Sequence, residues 1–158
     1  MGIIVSCFEG CGKESMMDFY SDRISIFDAK DVNADNMVDE VLDKVLTNDI
    51  VFIPCTKKVR KLFNEAKVDY DLFYPSKKRR QEIIEFQVRE RVKPDKIREL
   101  DNNFNKWIDE IDLEDAPNCY KHELIEREEF IGNNGLINGY IDQVIESKKQ
   151  NNTNNDES

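Results

Sequence analysis

Four short apolar runs within the first 75 residues do most to restrict the fold. Ile3-Ile4-Val5, Ile24-Ser25-Ile26-Phe27, Ile50-Val51-Phe52-Ile53 and Tyr70-Asp71-Leu72-Phe73-Tyr74 are rich in β-branched and aromatic residues and too short for helices. Between them lie stretches with helical spacing. The first runs from about Lys13 to Tyr20. The second, from about Asn36 to Leu46, carries Met37, Val41, Leu42 and Val45 behind an Asp35 N-cap. The third follows a Thr56 cap through about Ala66 and carries Val59, Leu62 and Phe63. Such alternation predicts an α/β fold, a parallel sheet joined by crossover helices. The third apolar run has no polar position, as expected of a strand covered on both faces.

Beyond residue 75 the pattern changes. "KKRRQEIIEFQVRERV" reads as a basic helix with Ile83, Ile84 and Val88 inward, broken at Lys93-Pro94-Asp95. A strongly amphipathic helix follows, with Ile97, Leu100, Phe104, Trp107, Ile108 and Ile111 spaced by threes and fours. A short fifth strand is expected near Tyr120 to Ile125 and a last helix around Leu136 to Ile145. The expected organisation is one domain over residues 1–146, with a disordered polar tail over 147–158. No apolar run is long enough to span a bilayer, and the start of the chain does not read as a signal peptide.

Charge is unevenly spread. The net charge is −10, yet residues 57–98 hold fourteen basic and seven acidic residues. A basic middle third within an acidic chain points to a local anion site more than to a nucleic-acid surface, and net charge disfavours direct nucleic-acid binding.

The four cysteines read as reduced thiols. Cys7 and Cys11 with Cys119 and His122 would together supply three thiolates and an imidazole to zinc. The preferred reading is that Cys7 and Cys55 are small buried side chains.

Most of the chemistry lies in "CFEGCGKES", residues 7–15. A phosphate-binding P-loop, G-x-x-x-x-G-K-[ST], curls backbone N–H groups around a phosphate at a helix N-terminus, and its lysine bridges phosphate oxygens. Gly10, Cys11, Gly12 and Lys13 fit that cradle, after a strand and before a helix. Two positions depart from it. Cys7 stands at the first glycine, where a positive φ would cost about 1–2 kcal/mol. Glu14 stands where a hydroxyl would ligate Mg²⁺, with Ser15 one residue late and expected to point elsewhere. Glu14 is the candidate metal ligand in its place. Asp28, at the C-terminal edge of the second strand, is the remaining candidate acid at the edge where ligands of open α/β sheets bind.

The segments "FEGCGK", "ISIFD", "NDIVFIPCTKKVRKLF", "VDYDLFYPSKKRRQEII" and "NFNKWIDEI", in that order over residues 2–112, resemble the small P-loop, nucleotide-kinase-like proteins of bacteriophages, related in fold to nucleoside monophosphate kinases. The resemblance implies a P-loop NTPase-like parallel sheet of four to five strands flanked by helices, with a basic helical lid over about residues 75–98. It implies Mg-ATP at Gly10–Ser15, and Lys13, Asp28 and Arg89 as catalytic residues. Lid and helix cations Arg60, Lys77, Lys78, Arg79, Arg80, Arg89 and Arg91 would close over phosphates, stabilising charge on the transferring phosphoryl group. A cytoplasmic location, in the host cell for a phage protein, would follow.

Three readings stay open at this point. One is a nucleotide kinase acting on a nucleotide or phosphorylated small molecule. Another is a pseudo-kinase that inhibits a host protein of defence, replication or transcription. The third is a nucleotide sensor or sequestering protein without turnover.

Overall fold

The computed structural model describes residues 1–156. Among the described residues the fold is α/β, with five strands and six α-helices: β1 (Ile3–Cys7), α1 (Lys13–Tyr20), β2 (Ile26–Asp28), α2 (Ala34–Lys44), β3 (Ile50–Pro54), α3 (Lys57–Glu65), β4 (Tyr70–Pro75), α4 (Arg80–Arg89), α5 (Pro94–Leu113), β5 (Cys119–Leu124) and α6 (Gly135–Asp156). Every strand pair is parallel, in the order β2-β3-β1-β4-β5.

The central strands are the most apolar ones, for a simple reason. β1, β3 and β4 each have a neighbour on both edges and helices over their faces, so Val5, Ile50, Val51, Phe52, Leu72 and Phe73 are all but fully buried. Burying apolar surface at about 25 cal/mol per Å² is the main force holding this layer together. The edge strands are more polar. β2 has only three residues, and β5 leaves Tyr120, Lys121 and Glu123 exposed.

Local chemistry sets most boundaries. Thr56 caps α3 by accepting from Val59 N at 3.2 Å, and Pro94 opens α5, where its missing N–H costs no bond. The cap of α2 is Asn33, whose side chain accepts from Asp35 N at 3.0 Å, rather than Asp35. The second strand begins two residues later than its apolar run, since Ser25 instead bonds Asp49, its N and Oγ both donating to the carboxylate.

The last helix runs past its expected end. α6 packs Ile137 and Ile141 into the core, and Tyr20 Oη donates to Asn138 Oδ1 at 3.3 Å. Near its middle, Tyr140 Oη donates to the Asp49 carbonyl at 2.8 Å and Lys148 Nζ lies 2.6 Å from the Asp49 carboxylate. That second anchor carries the helix into the polar segment expected to be a disordered tail, and it continues through Asp156. Residues 157–158 of that expected tail lie outside the described residues. No helix among the described residues is long and apolar enough to cross a membrane.

The strand order also positions the cleft. From β1 the chain passes outward over β3 to β2, and from β3 it passes over β1 to β4. Adjacent strands β1 and β3 thus send their C-terminal connections in opposite directions. That is a topological switch point, where open α/β sheets form a crevice.

Candidate functional site

A cleft of about 700 Å³ opens at that switch point. Its floor comes from the ends of β1 and β3, with Cys7 and Phe8 on one side and Pro54, Cys55 and Thr56 on the other. The loop from Phe8 to Gly12 forms one wall, and α4 and α5 contribute Phe86, Gln87, Glu99 and Trp107.

The loop is held from every side. Phe8 N donates to Phe73 O at 2.9 Å, and the Phe8 ring packs edge-on against Phe104 and Trp107 at 5.4 and 6.4 Å. Cys11 N turns back to Phe8 O at 3.2 Å, and Cys11 O accepts from Ile131 N at 2.9 Å. Gly10 and Gly12 have φ of 84° and 89°, left-handed values that glycine adopts without strain. Space is also tight, most of all at Gly10, where buried Ile83 Cγ2 would lie 2.7 Å from an added Cβ. A Cβ on Gly10 would lie 2.6 Å from Gln87 Nε2, and one on Gly12 would lie 3.1 Å from Phe130 Cβ.

Cys7 carries no such strain. It ends β1 in register with Pro54 and Phe73, and it is not among the residues of positive φ. The left-handed turns fall at Gly10 and Gly12, so the first-glycine position needs no glycine here.

At the mouth of the loop, the backbone N–H groups of Gly10, Gly12, Lys13, Glu14 and Ser15 find no acceptor among the described residues. The last four are the donors that any helix leaves unpaired at its start. Lys13 Nζ lies 2.9 Å from Asp28 Oδ2, and Asp28 Oδ1 accepts from Lys30 N at 3.1 Å. The two residues singled out in sequence are therefore neighbours across the β1–β2 crossover. Glu14 and Ser15 are both among the residues that line the cleft, and both are exposed. Glu14 is well exposed and lies 3.8 Å from Lys13 Nζ.

The segment over residues 75–98 lends the cleft Phe86, Gln87, Glu90, Val92 and Lys96, but not the cations named for it from the sequence. Of the seven cations assigned to it or to α3, only Arg60 lines the cleft. Its guanidinium is committed, with Nε and Nη2 each 2.7 Å from Glu114 Oε2 and Nη1 3.9 Å from Cys55 Sγ. Arg79 is nearly fully buried and serves the fold. It grips both oxygens of Glu82 at 2.9 Å, donates to the carbonyls of Leu124 and Glu129, and lies over the Phe130 ring that abuts Gly12. Lys77 pairs with Asp109 and Arg80 with Asp101, both outward on α5. Lys78, Arg89 and Arg91 are exposed and do not line the cleft. The reason is packing: α4 turns Ile83 and Gln87 toward the loop, which sends its cations outward.

The cleft is consequently mixed in charge. Lys13, Lys30, Lys57, Arg60 and Lys96 line it, and so do Glu9, Glu14, Glu90, Glu99 and Glu110. Glu9 lines the cleft and is exposed overall, while its carboxyl is partly shielded from water. Loss of water there, reinforced by the Glu99 charge, raises its carboxyl above the usual value, against the opposing pull of Lys96 and Lys13.

The proposed zinc set is not assembled. Cys119 and His122 sit on β5, where His122 Nε2 lies 2.8 Å from Asp71 Oδ1 and its ring stacks on Phe73. Burial pushes the Cys55 thiol up to about 11 and raises Cys11 well above its ordinary range, so both are neutral thiols. Among the described residues, no three His, Cys, Asp or Glu side chains gather to hold a metal ion.

Of the residues named from the sequence, Gly10, Gly12, Lys13, Glu14, Ser15 and Arg60 line the cleft, whereas Asp28 and Cys11 do not; Gln87, Glu99 and Trp107, not named as site residues, do. The amphipathic period of α5 marked Trp107 as core, and it is half-buried with an edge on the cleft. Neither a known protein family nor a curated protein matches the chain.

Proposed function

We propose that the protein binds the phosphate of a nucleotide or nucleotide-like ligand at the N-terminus of α1. One observation carries this: the backbone N–H groups of Gly10, Gly12, Lys13, Glu14 and Ser15 have no acceptor among the described residues, and these residues line a switch-point cleft. A cleft of about 700 Å³ is in the range that holds a nucleotide-sized ligand.

Mg²⁺ is commonly bound through one or two carboxylates together with substrate phosphates. Glu14, exposed at the rim and free of a close hydrogen bond, fits that requirement. Asp28 does so less well, because Lys13 and Lys30 N already occupy its two oxygens. The metal would neutralise phosphate charge beside Glu14.

Binding is favoured over fast phosphoryl transfer. A kinase spreads several cations around the transferring group; here Lys13, Lys30, Lys57, Arg60 and Lys96 line the cleft, but Glu9, Glu14, Glu90, Glu99 and Glu110 line it too, and Lys13 and Arg60 are held by Asp28 and Glu114.

Isothermal titration with ATP and with GMP, each with and without Mg²⁺, tests the reading. Micromolar binding that Lys13→Ala weakens at least tenfold supports it. Absence of heat and of thermal shift with every nucleotide sinks it and directs attention to a protein partner. A coupled assay on the same samples separates binding from turnover.

A further inference from the structure

β5 is the last strand of the sheet, and it pairs only with β4. Tyr70 N donates to Asn118 O at 2.9 Å and Ser76 N to Leu124 O at 3.3 Å. Main-chain groups alternate sides along a strand, so those of Tyr120 and His122 also face β4. The N–H and C=O groups of Lys121 and Glu123 therefore face outward, where the sheet has no further strand among the described residues. Such an edge is a template for another strand.

The side chains select which strand fits. Lys121 and Glu123 are exposed and share one face of β5. The Lys121 ammonium is fixed at the end of α5, 2.8 Å from Glu114 O and 3.1 Å from Ile111 O. Glu123 has no hydrogen bond or ion pair among the described residues. On the opposite face Tyr120 is 52% exposed.

An antiparallel partner bonds this edge when its own outward residues stand opposite Lys121 and Glu123. For a second copy of β5 the central registers set Lys121 against Lys121, Glu123 against Glu123, or Lys121 against Glu123. The first two oppose like charges, which destabilises a strand pair. The third opposes unlike charges twice, about an axis at His122, and brings the exposed Tyr120 across from Leu124 of the second copy. β5 is thus complementary to itself in one register.

We propose that β5 is a self-association edge, through which two copies of this chain join antiparallel into one continuous sheet with Lys121 of each opposite Glu123 of the other. The contact is isologous and closes at two copies. β4 separates β5 from β1 and β3, whose ends floor the cleft, so each copy keeps its own cleft.

Sedimentation velocity of the full chain, over a series from low to high micromolar concentration, tests this. The expected result is a monomer that converts to a dimer as concentration rises. Lys121→Glu and Glu123→Lys should each weaken dimerisation at least tenfold, because both cross-strand pairs become repulsive. Mixed in equal amounts, the two variants should dimerise again, since an acid then faces a base at both positions. Circular dichroism confirms that each is folded. Lys121→Glu also takes an ammonium from the α5 carbonyls, so if it fails to fold, Glu123→Lys decides alone.

A dimer that Glu123→Lys leaves intact, or folded variants that do not restore each other, overturns the proposal and moves the contact to another surface. A chain that stays monomeric throughout also overturns it, leaving the edge to a strand of a different protein.

Discussion

Lys13 Nζ and Asp28 Oδ2 lie 2.9 Å apart, tying the first turn of α1 to the C-terminal end of β2. On the proposed reading, a phosphate seated on the loop would compete with Asp28 for that ammonium. Lys13→Ala should therefore weaken binding at least tenfold, at a stability cost of about 1–2 kcal/mol, between the exposed and buried cases. Asp28→Asn should retain binding, since it releases the lysine. Titration and urea denaturation of both variants check this, and loss of binding in Asp28→Asn would give the carboxylate a direct role instead.

The two loop glycines should differ in their tolerance. Alanine at Gly12 meets a left-handed φ and a 3.1 Å contact, for a cost of about 1–2 kcal/mol. Alanine at Gly10 meets a similar φ and a 2.7 Å contact with fully buried Ile83, besides the movable tip of Gln87. Gly10→Ala should be the more damaging, both to thermal stability and to ligand binding, because it displaces the wall as well as the loop. Equal effects would count against the tight packing of α4 on the loop.

Arg79 should behave as a structural residue. Removing it strands the Glu82 carboxylate and the carbonyls of Leu124 and Glu129. Arg79→Ala should cost about 3 kcal/mol, and Arg79→Lys should not rescue it, since an ammonium cannot reproduce the planar fork. A loss of less than about 1 kcal/mol in chemical denaturation, a value typical of surface pairs, would refute the role.

Asp49 gives α6 a pH dependence. Burial pushes its carboxyl up, but hydrogen bonds from Lys148 and Ser25 outweigh this and hold it below its ordinary value of 3.8. A depressed folded-state value contributes stability above the ordinary carboxylate range, lost as pH falls through the folded value. Asp49→Asn should therefore lower Tm near neutral pH, with the gap to wild type closing in acid. A constant gap across the titration would show that the charge is not what matters.

Glu9 should show the opposite sign. Its carboxyl is raised above the ordinary 4.5 by desolvation and by Glu99, so ionisation favours the unfolded chain. The stability linked to its neutral form is present in acid and declines as pH rises from the ordinary value through the folded one. Glu9→Gln should raise Tm near neutral pH and change little below about pH 4. Scanning calorimetry at the two pH values is sufficient to test it.

The sheet was legible because its signals are local. Four β-branched and aromatic runs punctuated by Gly10, Gly12, Pro54 and Pro75 can make little besides parallel strands with crossover helices, and the caps and breakers set several boundaries within two residues. Lys13 was legible within its own short loop, and Asp28 from its place at the end of a strand. Their pairing was not, because β3 lies between β1 and β2 in the sheet.

What the tertiary structure alone decided was where long side chains point. A run such as Lys77 to Arg91 is basic in any arrangement, yet its cations reach a phosphate only if the helix turns that face inward. Here Ile83 and Gln87 take the inner face against Gly10, and the charges go to Glu82, Asp101, Asp109 and solvent. The polar end of α6 followed the same logic in reverse. Composition marks it as a tail, and the distant Asp49 makes it a helix by holding Tyr140 and Lys148. Local sequence determines which backbone shapes are cheap, whereas partners far apart in the chain determine which side chains are left for a ligand.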